Sequence, residues 1–230
     1  MTSVRAGFLA GLTKLRSKAT LITILLALAV TVVLSILERR AGSQGAADRI
    51  VGSLFRIILP LTMFSLSGSA IGLRNLRDEV WALVRFGHSR FAVMIGHTTA
   101  VAAVGALVAV FLIVVSLVMT RVGVASSAGA SALPADLITT SWIGALASLA
   151  YAAWFAVGAT LGRLGGGRGY VLTADFFIGP AGTLGFFFPK GAVYNLIGLT
   201  AADPISQPQA SVLLVVLSVV LGGLLALRAR

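Results

Sequence analysis

The fold turns on the stretch Arg74-Asn75-Leu76-Arg77-Asp78-Glu79-Val80-Trp81-Ala82-Leu83-Val84-Arg85-Phe86-Gly87-His88-Ser89-Arg90, a charged island between two long apolar segments. Leu73, Leu76, Val80, Leu83 and Val84 recur at helical spacing, while Arg74, Arg77, Asp78, Arg85 and Arg90 fall largely elsewhere on the wheel. The pattern predicts a short helix lying on a membrane surface. Such a helix, arginine-rich and of mixed sign, serves either as a docking surface for a soluble partner or as a headgroup anchor. The rest of the chain has to decide between the two.

Outside the island the sequence is mostly apolar. Of 230 residues, 58% are hydrophobic and 11% charged, and the mean hydropathy is +1.01. That leaves too little polar surface to coat a soluble globule, so the chain reads as an all-α integral membrane protein. The net charge of +11 would suggest nucleic acid in a soluble protein. Here the Lys and Arg residues sit beside apolar runs, where they set orientation, and no nucleic-acid partner is expected. The absence of cysteine removes disulfides, thiolate metal sites and a cysteine nucleophile. Neither His88 nor His97 has a Glu in a metal-ligand pattern, so no metal site is expected.

Taken in order, residues 1–18 carry Arg5, Lys14, Arg16 and Lys18 around a stripe of Val4, Phe8, Leu12 and Leu15, the pattern of an interfacial amphipathic helix. A first span covers Ala19 to Leu37 and ends in Glu38-Arg39-Arg40, without a convincing small-residue cleavage site, so it reads as a retained anchor. The second span, residues 50–73, contains Arg56 and Pro60. The proline removes a backbone donor and is the hinge candidate. Thr62, Ser65 and Ser69 share one face below it, and Gly68 and Gly72 form a small-xxx-small pair, a pattern that suits close helix packing or a substrate groove. After the island come spans at 91–120 and 137–162, separated by a loop rich in Gly, Ala and Ser.

The run Arg163-Leu164-Gly165-Gly166-Gly167-Arg168-Gly169 reads as a tight basic turn. It lacks the Lys and the Ser or Thr that a phosphate-cradling loop needs. A fifth span, 170–188, is the least regular. It holds Asp175, Phe176, Phe177, Gly179-Pro180 and Phe186-Phe187-Phe188-Pro189. An intramembrane carboxylate is expensive to bury, so Asp175 is a functional candidate; equally, it lies near enough to the basic turn to pair with Arg163 or Arg168. The stretch from Lys190 to Pro208 is expected to dip or run along the surface before a sixth span at 209–227.

With the N terminus in the cytoplasm, 12 of the 18 basic residues lie inside: Arg5, Lys14, Arg16, Lys18, Arg74, Arg77, Arg85, Arg90, Arg163, Arg168, Arg228 and Arg230. Arg39, Arg40, Arg49 and Arg56 are the misfit. Six spans with both ends inside is the consistent topology. No paired carboxylate or nucleophile with a base is present, and the Gly-x-Ser-Gly pattern of an intramembrane serine protease is missing around Ser67, so the chain itself is not expected to be an enzyme. No internal repeat points to a secondary transporter.

An amphipathic N-terminal helix, six spans, Ile58-Leu59-Pro60-Leu61 in the second, then Asp78-Glu79 leading through Ala82-Leu83-Val84 to Ser89-Arg90, together resemble the type-two ABC exporter permeases. The resemblance covers essentially the whole chain and is carried by architecture more than by motif. Glu79 and Ser89-Arg90 match the family's coupling segment, whereas its Gly-Thr and Pro are absent. It implies that residues 74–90 form the coupling helix, with Arg74, Arg77, Asp78, Glu79, Trp81, Arg85, His88 and Arg90 docking a separate ABC ATPase that holds ATP and Mg. Residues 4–18 would then be the connecting helix, and 190–208 short re-entrant outer helices. It further implies a second permease copy or related chain, a bacterial inner (plasma) membrane location, and a path touching Thr62, Ser65, Ser69, Asp175, Phe176, Phe177 and Phe186. Sparse Ser and Thr in an apolar path suit a lipid-like or amphipathic substrate. The competing reading is a scaffold that holds anionic membrane lipids or a cytosolic protein through the basic helix.

Overall fold

The computed structural model describes residues 2–41, 45–72, 74–121, 132–162, 164–180, 182–199 and 205–229. These residues form helices throughout, and five of the helices are long and apolar enough to cross a membrane. Leu73, Arg163, Arg230 and most of the loop expected between the third and fourth spans lie outside the described residues, as do 200–204 of the expected outer turn.

Helix α1 (Ser3–Leu15) begins where the Thr2 hydroxyl accepts from the Arg5 amide, and α2 (Lys18–Arg40) where Ser17 accepts from Thr20. The next crossing is a continuous 26-residue helix, Ala46–Ile71. It is assembled from α3 (Ala46–Ser53), a π-helical turn (Leu54–Ile58) and α4 (Leu59–Ile71). The π turn has a local cause. Pro60 cannot donate to residue 56, and the Leu59 amide reaches back five residues to the Leu54 carbonyl instead of four. What the sequence suggests as a kink at Pro60 is thus a widened turn just before it. Gly72, at φ +71°, ends α4, so the expected Gly68/Gly72 packing pair is instead one packing position and one helix terminus.

The island is not one helix but two single turns, α5 (Leu76–Glu79) and α6 (Trp81–Val84), stopped by Gly87 at φ +82°. Arg90 already belongs to α7 (Arg90–Arg121), the longest helix. Helix α8 (Leu133–Ala159) runs back and is the most enclosed crossing, with 72% of its most apolar stretch buried against 22% for α2 and for the last helix. Tyr151 and Phe155 of α8, Phe55 from the π turn, Met63 and Leu66 of α4 and Leu112 and Ile113 of α7 make the centre of the core.

The expected fifth span, 170–188, is not a single helix. It is α9 (Gly167–Ile178), a 3-10 segment (Gly182–Phe187) and α10 (Pro189–Leu196). The break follows from Gly179-Pro180 and Pro189, and it is sealed by glycines. A Cβ at Gly185 would strike Gly179, and one at Gly191 would strike Gly185, so three strands of backbone meet where only glycine fits. Helix α11 (Gln207–Arg228) closes the chain behind a Ser206/Gln209 capping box.

Candidate functional site

Two assemblies contain the residues singled out by sequence. The first is the island. Leu76 and Val80 are fully buried and fasten it to the helix bundle, while Arg74, Asp78, Trp81, Ala82, Arg85 and Phe86 are exposed. Phe86 is 84% exposed at the tip, and Trp81 lies between Arg85 and Arg90, whose guanidinium carbons are 5.9 and 5.4 Å from its ring centre.

The remaining island side chains are spent on neighbours. Glu79 forms an ion pair with Lys14 of α1. His88 shares a 3.3 Å hydrogen bond with Ser3, whose hydroxyl also accepts from the Ser89 amide at 3.2 Å. Arg77 donates to the Arg228 carbonyl and Arg90 to that of Ala229 (3.3 Å), two cations on the carbonyl end of α11, where the helix dipole favours them. Asn75 caps α5 with its oxygen and, with its amide nitrogen, closes the end of α8 at the Thr160 and Gly162 carbonyls, 3.2 and 2.9 Å away. Of the eight docking residues expected from sequence, Arg74, Asp78, Trp81 and Arg85 face outward, and Arg77, Glu79, His88 and Arg90 tie the island to α1 and α11.

Helix α1 is itself held by α7. A Cβ at Gly7 would fall on the Val93 backbone, and one at Gly96 on that of Val4 and Phe8. The buried face of α1 is therefore Ala6, Gly7, Gly11 and Leu15; of the stripe read from sequence Leu15 is buried, Phe8 and Leu12 are half-buried, and Val4 is 43% exposed. Close backbone approach, not large side chains, joins these helices.

The second assembly surrounds Asp175, which is completely buried. Its two oxygens accept from the Tyr151 hydroxyl at 3.1 Å and the Lys190 amide at 3.0 Å. Phe188, the N-cap of α10, provides no side-chain cap, so Asp175 performs that role from a different helix. The expected pairing with Arg168 does not occur. Arg168 turns the other way and donates to the Gly72 and Gly165 carbonyls at 2.7 and 3.3 Å, closing the end of α4. Lys190 is nearly as buried, with its ammonium 3.7 Å from the Phe176 ring centre.

The other path candidates separate by environment. Thr62 is buried and donates to the Ile58 carbonyl at 2.7 Å, and Ser65 accepts from Thr23 of α2 at 3.2 Å. Ser69 is half-buried, Phe186 likewise, and Phe177 is 80% exposed. His97, buried in α7, shares a 3.0 Å hydrogen bond with the Ala70 carbonyl. Sequence reasoning missed Tyr151 and the capping role of Asp175; the one signal for the latter was Pro189, a residue that favours the first turn of a helix. Among the described residues no three His, Asp or Glu side chains converge as a metal site would require.

No protein-family model matches the chain, and no curated protein is similar to it.

Proposed function

We propose that this multi-pass membrane protein is the transmembrane subunit of an ATP-driven exporter of the type-two ABC permease class, working with a separate ATPase and with a second permease copy or related chain. The observation that carries this reading is the construction of the island. Its inner face is anchored by Leu76 and Val80 and tied to α1 and to the end of α11, while Asp78, Trp81, Arg85 and Phe86 project from it. A force applied to that tip would pass directly into α1, α7 and α11.

ATP and Mg would reside in the partner, and this chain would contribute no catalytic residue. ATP binding would draw the ATPase subunits together, and the coupling segments would convert that movement into alternating access. The π turn before Pro60, within the Ala46–Ile71 helix, and the glycine-sealed break between α9 and α10 supply places where the bundle can bend. The apolar character of the path favours a lipid-like or amphipathic substrate. In this reading both termini and the island face the cytoplasm of a bacterial inner membrane.

The test is affinity capture from gently solubilised membranes, with ATPase activity measured in the eluate. Asp78→Lys leaves the Lys14–Glu79 pair intact and should reduce ATPase recovery by about tenfold or more, as loss of one interfacial charge contact would. Wild type that never captures an ATPase would remove the exporter reading. The exposed Trp81 and Phe86 beside Arg74 and Arg85 favour one alternative, a scaffold seated in anionic headgroups. In that case Asp78→Lys would strengthen binding to vesicles containing phosphatidylglycerol and capture no ATPase.

A further inference from the structure

We infer that Arg56, Lys190 and Tyr194 form a binding site for the anionic head of an amphiphile, within the membrane-crossing part of the molecule and remote from the island. Arg56 sits in the π turn, ten residues from one end of the Ala46–Ile71 helix and fifteen from the other, so roughly 15 and 22 Å along its axis. Lys190 and Tyr194 are four residues apart on one face of α10, which packs against that turn.

The cluster is short of negative charge. Asp175, the carboxylate beside Lys190, accepts hydrogen bonds from Tyr151 and from the α10 backbone and supplies a single negative charge against the two cations. Among the described residues neither Arg56 nor Lys190 makes an ion pair, and the Lys190 ammonium lies 3.7 and 5.8 Å from the ring centres of Phe176 and Tyr194. The Tyr194 hydroxyl is buried without a hydrogen-bond partner. Two cations against one carboxylate, with an orphan hydroxyl beside them, is costly in a low-dielectric setting. A phosphate-type oxyanion would neutralise the excess charge and give Tyr194 an acceptor. The open side of the cluster is apolar: Arg56 is exposed next to Ile57 and Leu61, themselves 47% and 45% exposed. The ligand therefore carries hydrocarbon behind its anionic head.

As the place where a transported molecule's head would rest, the site depends on the exporter reading; as a binding site it does not. Binding is accordingly measured on the purified permease without any ATPase. Native mass spectrometry with dioctanoyl phosphatidylglycerol, dioctanoyl phosphatidylcholine and inorganic phosphate distinguishes the ligands. Phosphatidylglycerol should bind the wild type about tenfold more tightly than phosphatidylcholine, and Arg56→Gln should remove that preference, the factor expected for one charge-assisted hydrogen bond. Arg56→Lys should keep most of the preference, and Lys190→Met should abolish it. Because Arg56 is exposed, Arg56→Gln decides the matter even if Lys190→Met fails to fold. Equal affinity for the two lipids, a preference unchanged by Arg56→Gln, or inorganic phosphate binding as tightly as phosphatidylglycerol would each overturn the proposal. Failure of ATPase capture with the lipid preference intact would refute only the exporter reading.

Discussion

A carboxylate inside an apolar bundle has to be supplied with donors, and at Asp175 the supply is a tyrosine from α8 and the first turn of α10. This arrangement makes substitutions unequal. Asn keeps an oxygen for the Lys190 amide, and the Tyr151 hydroxyl can turn from donor to acceptor, so Asp175→Asn loses the negative charge beside the Lys190 ammonium but orphans neither hydrogen-bond partner and should be the milder change. Asp175→Leu leaves both the α10 amide and the Tyr151 hydroxyl buried and unpaired and should cost about 2–6 kcal/mol, since each orphaned group carries a penalty of about 1–3 kcal/mol. Thermal unfolding in detergent should place the two variants in that order. The reverse order would mean that Asp175 does not serve as the cap of α10.

At the scale of elements, α1 behaves as a strut glued along α7. Gly96→Leu would drive a side chain into the backbone at Val4 and Phe8, so it should detach α1 at a cost of at least about 1–3 kcal/mol. Faster proteolytic cleavage within residues 2–18, with the bundle still intact, is the expected signature. The contact between α1 and the island should be softer. The Lys14 and Glu79 side chains are 39% and 16% exposed, which limits their pair to about 0.5–1 kcal/mol. Lys14→Glu or Glu79→Lys should each weaken the attachment and the double reversal should restore it, read as the stability coupling of a double-mutant cycle.

For the whole molecule, the hydrogen bonds from Arg77 and Arg90 to the end of α11, and the Lys14–Glu79 pair, gather the N-terminal helix, the island and the C-terminal helix end at one pole. The far end of α2, at Arg40 and Ala41, must then lie at the other pole, since α2 leaves the first pole immediately after α1. The chain has no cysteine, which makes this directly testable. Single cysteines replacing Thr2, Phe86 or Ala229 should react with a membrane-impermeant maleimide from one side of a sealed membrane, and one replacing Ala41 from the other. Labelling of Phe86→Cys and Ala229→Cys from opposite sides would contradict the arrangement.

The amino-acid sequence by itself determined the membrane setting, five of the six crossings it was read to contain and the position of the charged island, because these depend on hydrophobic runs and on Pro, Gly and capping residues within a few positions of one another. It also marked 170–188 as irregular from Gly179-Pro180 and Pro189. Only the tertiary structure decided which partner each polar group found. Asp175 took Tyr151, 24 residues away, rather than nearby Arg168, and Arg168 took the end of α4, 96 residues away. The buried face of α1 was likewise set by α7, where glycines allow two backbones to touch. Helical periodicity identifies which residues are apolar, but the choice of buried face rests on the shape of the neighbouring helix, and hydrogen-bond partners rest on contacts distant in sequence.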